Sequence, residues 1–407
     1  MTNLAGRRVL HLTTTDISLA LLLGPQLRAF ADAGMEVIGA SAPGPWVGDL
    51  EASGIRHEAV VHATRSMSVR KDALALAELV RLFRRVRPDI VHTHNPKPGI
   101  YGRLAARLAG VPVVLNTVHG LFAAPDDAFM RKAIVYGLER FATACCQAEM
   151  VLNAEDLTAL RRTGIPERKL VMLGGGVDVE RFRPRSPSFV TEARKALGFG
   201  DDRVIVGLVA RLVWEKGLRE LFAAAEVLRQ TMPEVVVVVV GPSDSEKSDG
   251  LRPADLRAAE ALGNVVFLGE RRDVEALYPA FDLFALPSYR EGLPLSAMEA
   301  SACGVPVVAT DIRGCRQVVH HGVTGLLVPV RDAGALVDAI GSLARDRGRR
   351  QAMGQAARRR AEAEFDQRRV VSDTLKIYSR LLDPVGSPQP LVPRRPAQER
   401  PRALVAS

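Results

Sequence analysis

The chain has 407 residues, 47% of them hydrophobic and 25% charged, the mix of a globular protein with room for two cores. Its net charge of +9 invites nucleic acid, yet no recognition motif or aromatic interleaving accompanies it, so no nucleic-acid partner is expected. No run of 18 apolar residues exists to span a membrane. Cys145, Cys146, Cys303 and Cys315 have neither a disulfide-framework nor a zinc spacing, which points to a reducing, cytoplasmic location.

Arg7 and Arg8 precede an apolar stretch, but Asp16 and three threonines interrupt it and no small-residue cleavage site follows, so it does not read as an export signal. Residues 9–13 read as a strand, 19–33 as an apolar helix closed by Gly34, and 36–40 as the next strand. An amphipathic helix over 71–87 turns Leu74, Leu76, Leu79, Val80 and Phe83 inward and Arg81, Arg84, Arg85 and Arg87 outward. A strand over 89–92 ends in the loop 93–99 (THNPKPG); a helix over 101–109, a strand over 113–117 and the loop 118–120 follow.

This alternation predicts a parallel sheet covered on both faces, with ligands at the carboxyl ends of its strands. The loops 13–18, 92–99 and 117–122 therefore gather at one edge, bringing Thr14, Asp16, His94, Lys97 and His119 with them. His92 and His94 differ by two and share a face if the strand reaches that far. As metal ligands they lack a third partner, and no metal site is expected.

In the second half, a strand over 204–210 is followed by Arg211 and Lys216, two cations placed to neutralise a diphosphate. Two solvated loop cations are the alternative. Strands over 235–241 and 265–268 precede the loop 269–273, and a strand over 283–287 leads into PSYREGLPLSAMEASACGVPVVATD, residues 287–311. There Pro294 reads as the first residue of a helix that Gly304 ends, leaving the Gly292 and Leu293 amides as donors at its N-terminus. Glu291 stands beside that site and Glu299 lies roughly 12 Å along the helix at about 1.5 Å per residue. A carboxylate among Met298, Ala300, Ala302 and Cys303 needs donors, although a solvated Glu299 remains the alternative. Helices follow over 332–345, 349–365 and 368–382, then a Pro- and Arg-rich tail.

Together, the 287–311 string, the Arg211–Lys216 spacing, GGGVD with RFRP near 183 and GVTGLLVP over 322–329 resemble glycosyltransferase family 4. These are retaining nucleotide-sugar transferases of the GT-B fold, two Rossmann-like α/β domains facing across a cleft. The resemblance implies a first domain over 1–182, joined by the crossover helix 368–383, and a nucleotide-sugar domain over 183–367; the Pro- and Arg-rich composition of 384–407 predicts a disordered tail. The resemblance also implies that Arg211 and Lys216 stabilise the departing diphosphate. Glu291, with Gly292 and Leu293, would hold the donor sugar, and Glu299 the ribose. The loop containing Arg271 would meet the base. THNPKPG and TVHG resemble the branch that builds bacterial capsule, exopolysaccharide and lipid-diphosphate-linked glycans, in which the counterpart of His119 lies beside the donor sugar. The glycine pair that many members carry after the first strand is replaced here by Thr13–Ser18, which puts that acceptor contact in doubt.

The expected enzyme is thus a hexosyl- or N-acetylhexosaminyltransferase using a nucleotide sugar such as a UDP-sugar, without cofactor or metal. Its acceptor would be a polyprenyl-diphosphate-linked sugar or another glycan. An epimerase or phosphorylase of the same fold is the enzymatic rival, and a non-catalytic sugar-binding protein the other. Residues 65–107 hold ten basic and three acidic residues, which suits an ordinary solvated helix face as well as an anionic membrane surface. The resemblance of THNPKPG to the lipid-diphosphate branch implies the latter, a peripheral position on the inner membrane face.

Overall fold

In the computed structural model, residues 4–62, 69–94, 96–121, 127–243 and 247–383 are described. The tail expected over 384–407 lies outside them. The chain divides into two units, one reaching Leu173 and resuming at Val371, the other running from Gly174 to Val370.

In the first unit, the described strands are β1 (Arg8–Thr15), β2 (Glu36–Ala42), β3 (Arg56–Ala59), β4 (Ile90–His94), β5 (Val113–Val118), β6 (Ala148–Val151) and β7 (Leu170–Met172). They pair in parallel in the order β3-β2-β1-β4-β5-β6-β7. In the second unit, β8 (Val204–Val209), β9 (Val235–Val240), β10 (Val265–Phe267), β11 (Leu283–Leu286), β12 (Val307–Thr310) and β13 (Gly325–Val328) pair in the order β10-β9-β8-β11-β12-β13. The central strands of both sheets are buried on each face, as parallel strands under helices require, and in the second unit β8 and β9 are rich in valine. Strand order reverses between β1 and β4 and between β8 and β11, and such switch points are where α/β sheets bind ligands.

Several sequence expectations are corrected. The division falls at Gly174 rather than near 183, because Val177 bridges to Asp366 and Val177, Val179 and Phe182 are buried in the second unit's core. The last helix, Gln367–Leu382, joins the first unit from Val371. The helix expected over 19–33 is a π-helical turn, Ser18–Leu23, followed by an α-helix, Gly24–Asp32; Pro25 has no amide with which to continue the ladder between them. Leu74 is exposed, since the helix Val69–Val86 buries the face of Ala75, Leu79, Leu82, Phe83 and Val86. Pro96 opens the helix Pro96–Ala109 directly, so Lys97 stands in a first helical turn and not in a loop. Pro294 is extended (ψ 108°) and caps the helix Leu295–Ala302 instead of opening it.

Candidate active site

The second unit's switch point gathers the expected donor-side residues. Arg211 follows β8, and a 3-10 turn, Trp214–Lys216, closes on Gly217 in the left-handed conformation (φ 72°). A Cβ on Gly217 would stand 1.9 Å from the Pro287 carbonyl oxygen, so only glycine lets this turn lie against the end of β11. The Tyr289 amide donates to the Glu215 carbonyl (2.9 Å), and the Tyr289 hydroxyl to Glu220 (2.7 Å). So held, Lys216 Nζ donates to Glu291 Oε1 at 2.6 Å, with both side chains largely buried. Behind them, a Cβ on Gly314 would meet the Glu291 carbonyl at 2.5 Å, which fixes the backbone of 291–292 from the far side.

Leu293 lies over the glycine run, where a Cβ on Gly175 would meet its Cδ2 at 2.3 Å. Gly292 has an interaction of its own, so it is not offered here as an open donor. Glu299 accepts from the Tyr278 hydroxyl at 2.6 Å. Burial pushes its carboxyl up to about 7, against the opposing pull of Tyr278 and Arg181. Arg271 forms a two-pronged pair with Asp273 (2.8 and 2.6 Å) on the surface after β10. This edge thus offers cations, a buried carboxylate pair partner and a second carboxyl poised to accept hydroxyls.

In the first unit, the switch point is occupied by histidine. His94 Nδ1 lies 3.0 Å from His119 Nε2, and His94 Nε2 lies 3.0 Å from His11 Nδ1. The Tyr378 hydroxyl stands 3.4 Å from His11 Nε2 and 2.6 Å from His92 Nδ1, and His92 Nε2 is 2.7 Å from Thr117 Oγ1. Burial lowers every ring's pKa, His11 to about 3 and His119 to about 4, so all four are neutral near pH 7. His11 supplies the third partner that His92 and His94 were expected to lack: one nitrogen from each ring lies within 4.8 Å of the others. A metal there would have to displace hydrogen bonds, because each ring nitrogen of the trio already has a partner in this chain.

The other first-unit residues are drawn into the fold. Asp16 is buried and accepts the amides of Ile17 (2.9 Å) and Trp46 (2.7 Å), pinning the loop at Gly44 to the end of β1. Thr14 is half-buried at that end. Lys97 pairs with Asp72 at 2.6 Å. Part of the basic run is also neutralised internally: Arg103 is fully buried against Glu139 and Glu149, and Arg85 pairs with Glu58. Sequence reasoning left His11, Thr117, Tyr278 and Tyr378 without roles. The available signal for His11 was a polar ring amid apolar neighbours in a strand buried on both faces.

Residues 8–148 match the family described as Glycosyl transferase 4-like, and 189–360 the one described as Glycosyl transferases group 1. Among similar proteins is the UDP-Gal:alpha-D-GlcNAc-diphosphoundecaprenol alpha-1,3-galactosyltransferase of Escherichia coli, 32% identical over 68% of this chain and 71% of that one. The capsular polysaccharide biosynthesis glycosyltransferase CapM of Staphylococcus aureus is 26% identical over 93% of this chain and 98% of its own. In fold, the chain resembles Anabaena Alr3699/HepE, solved in complex with UDP and glucose, with a TM-score of 0.78 and 23% identity over 92% of this chain and 99% of that one.

Proposed function

This chain belongs to glycosyltransferase family 4, with the GT-B fold, and from that footing we propose that it transfers a sugar from a UDP-sugar, with retention, to a lipid-diphosphate-linked glycan. The observation that carries the reading is the Lys216–Glu291 pair at the β8–β11 switch point, with Arg211 on the same edge. A cation held by a carboxylate is preorganised: it meets the charge that develops on a departing diphosphate without reorganising at the moment of reaction. Glu291 then hydrogen-bonds the donor sugar beside the backbone of Gly292 and Leu293. Glu299, steadied by Tyr278, takes the ribose hydroxyls. The loop after β10 contributes backbone to the base, because the Arg271 side chain is held by Asp273. From the first unit, the family resemblance assigns His119 to the reacting sugar, and we assign Thr14, Asp16, His94 and Lys97 to the acceptor side from their positions at the carboxyl ends of β1 and β4. Asp16 and Lys97 act there by ordering the loop and helix that they pin. No metal is required in this scheme, since protein cations meet the diphosphate.

The UDP and the undecaprenol diphosphate in the names of the similar proteins support the choice of donor and acceptor class. An acceptor of that kind lives in a bilayer, and we place the enzyme on the inner membrane face. No helix among the described residues is long and apolar enough to cross a membrane. The helix Phe129–Thr143 instead exposes Met130, Ile134, Leu138 and Phe141 in one stripe. Its outward charges are Arg131, Lys132 and Arg140, while its one acid, Glu139, is buried on Arg103 at 2.7 Å. Arg131 pairs with Asp127 at 3.4 Å, so the stripe is edged with net rather than exclusively positive charge, which suits an anionic bilayer surface. This helix, rather than the partly neutralised run 65–107, carries the membrane reading.

The test is a screen of nucleotide sugars for hydrolysis by the purified protein without acceptor, with product sugars identified. Release of UDP and free sugar from one donor supports the reading. An epimerised nucleotide sugar, phosphate-dependent glycan cleavage or inertness toward every donor contradicts it.

A further inference from the structure

Side chains of alternate strand residues share a face, so His92 and His94 of β4 lie on one side of the sheet. His11 is opposite His92 and Thr117 is opposite His94 in the pairing of β1, β4 and β5. The C-terminal helix lays Tyr378 on that face, and Phe30 stacks on His11 at 5.6 Å. Of the six members of the hydrogen-bonded series, His119 alone reaches solvent appreciably; the other five are each at most 3% exposed. We propose that Thr117, His92, Tyr378, His11 and His94 form a one-way hydrogen-bond chain that fixes His119 as its Nδ1–H tautomer. It then presents a donor to its ligand. The proposal rests on the reading of His119 as the residue at the reacting sugar.

The direction follows from counting protons. A neutral imidazole has one N–H and one acceptor nitrogen. His94, His11 and His92 each use both nitrogens within the chain, and the Tyr378 hydroxyl joins two rings. With Tyr378 accepting from one ring and donating to the other, the direction of one bond sets all the others. Thr117 Oγ1 has His92 Nε2 as its side-chain partner at 2.7 Å. If the hydroxyl donates there, His92 carries its proton on Nδ1 and donates to Tyr378. Tyr378 donates to His11 Nε2, His11 Nδ1–H to His94 Nε2, and His94 Nδ1–H to His119 Nε2. Every ring is then Nδ1–H. The reverse direction leaves the Thr117 hydroxyl proton buried without that acceptor, at a cost of about 1–3 kcal/mol. A Tyr378 oxygen accepting from both rings strands its own proton in the same way. Burial depresses all four imidazoles, which keeps them neutral and preserves the one-proton count. His11, His92, His94, Tyr378 and Thr117 are positioning residues, acting through His119.

The experiment is long-range proton–nitrogen NMR of the full chain labelled with 15N-histidine, which separates Nδ1–H from Nε2–H rings, with signals assigned by single substitutions. The expected spectrum has His11, His92, His94 and His119 all as Nδ1–H. Thr117→Val removes the terminal donor and should shift His119 toward Nε2–H. It should lower kcat about tenfold, as loss of an outer hydrogen-bond partner does, with donor KM changed by less than about twofold. Thr117→Ser should restore both. Tyr378→Phe, should Thr117→Val fold poorly, cuts the chain midway: His92 keeps Nδ1–H while His11, His94 and His119 lose it. His119 as Nε2–H in the unaltered protein would overturn the proposal. So would folded Thr117→Val and Tyr378→Phe variants with unchanged spectra and kcat, or stoichiometric zinc in the purified protein with the ring protons gone. If the spectra behave as expected but His119→Ala transfers sugar at full rate, the chain stands and the reaction-centre reading of His119 fails.

Discussion

Lys216 and Glu291, 75 residues apart in the chain, meet as an ion pair 2.6 Å long at the edge where β8 and β11 end. Gly217 and Gly314 make the meeting possible, each at a point where a Cβ would strike backbone. Removing Lys216 leaves Glu291 without its partner and, under the proposed function, takes a fixed cation from the diphosphate. Lys216→Ala is expected to slow transfer by about a hundredfold, roughly 3 kcal/mol of barrier. Steady-state kinetics with the preferred donor check this; full turnover with unchanged donor affinity would remove Lys216 from the mechanism.

Glu299 predicts a proton count. Its carboxyl titrates near 7 because burial disfavours the ionised form. Hydroxyls donated by a bound ribose would favour the carboxylate and lower that pKa, so nucleotide binding at pH 7 should release a fraction of a proton. Calorimetric titrations in buffers of different ionisation enthalpy measure it. Glu299→Gln should abolish the release and weaken nucleotide binding, and proton uptake would contradict the assignment.

Acid should loosen the first unit before the second. The four buried histidines have folded pKa values below their ordinary 6.5, so between those values the unfolded chain binds the extra protons. Their contribution is whole above pH 6.5 and is lost as pH falls, for His119 toward about 4 and for His11 toward about 3, by up to about 1.4 kcal/mol per histidine per pH unit. Glu299, whose folded pKa is raised, has the opposite sign: its contribution is present below 4.5 and lost as pH rises through 7. Hydrogen exchange, corrected for intrinsic rate, should show β1 and β4 losing protection between pH 6.5 and 4.5 ahead of β8 and β9. Equal loss in both units would count against a neutral histidine cluster.

The membrane reading makes a separate prediction. Ile134→Glu or Phe141→Glu should weaken binding to liposomes containing anionic lipid by about tenfold or more, the scale of burying one large apolar side chain. High salt should weaken it further by screening Arg131, Lys132 and Arg140. Arg84→Glu, on the helix Val69–Val86, should matter less. Binding that ignores both glutamates would move the membrane face elsewhere.

Much of the architecture was legible because parallel strands announce themselves: Val235–Val240 is six consecutive valines, buried throughout. The positions of the residues proposed for the donor side were legible for a related reason, since Arg211, Lys216, Glu291 and Glu299 all lie just beyond strand ends or on the helix that follows. The helix Phe129–Thr143 was missed because its apolar stripe faces solvent rather than a core, so inward packing gave no reason to single it out. Arg103 was misread as surface charge because composition cannot see the two glutamates that meet it from 36 and 46 residues away. His11 had no role because a strand buried on both faces shows no period of two, and its partners come from another strand and from a helix 367 residues on.

The central claim, sugar transfer with retention from a nucleotide diphosphate, is tested most directly by one product analysis. The purified protein is incubated with the donor that it hydrolyses and a polyprenyl-diphosphate-linked sugar, with and without a metal chelator, and the anomeric configuration of the new linkage is read by NMR. The account predicts an α-linkage from an α-linked UDP-sugar, formed equally well in chelator. A β-linkage, or a product that forms only when magnesium or manganese is restored, would contradict it.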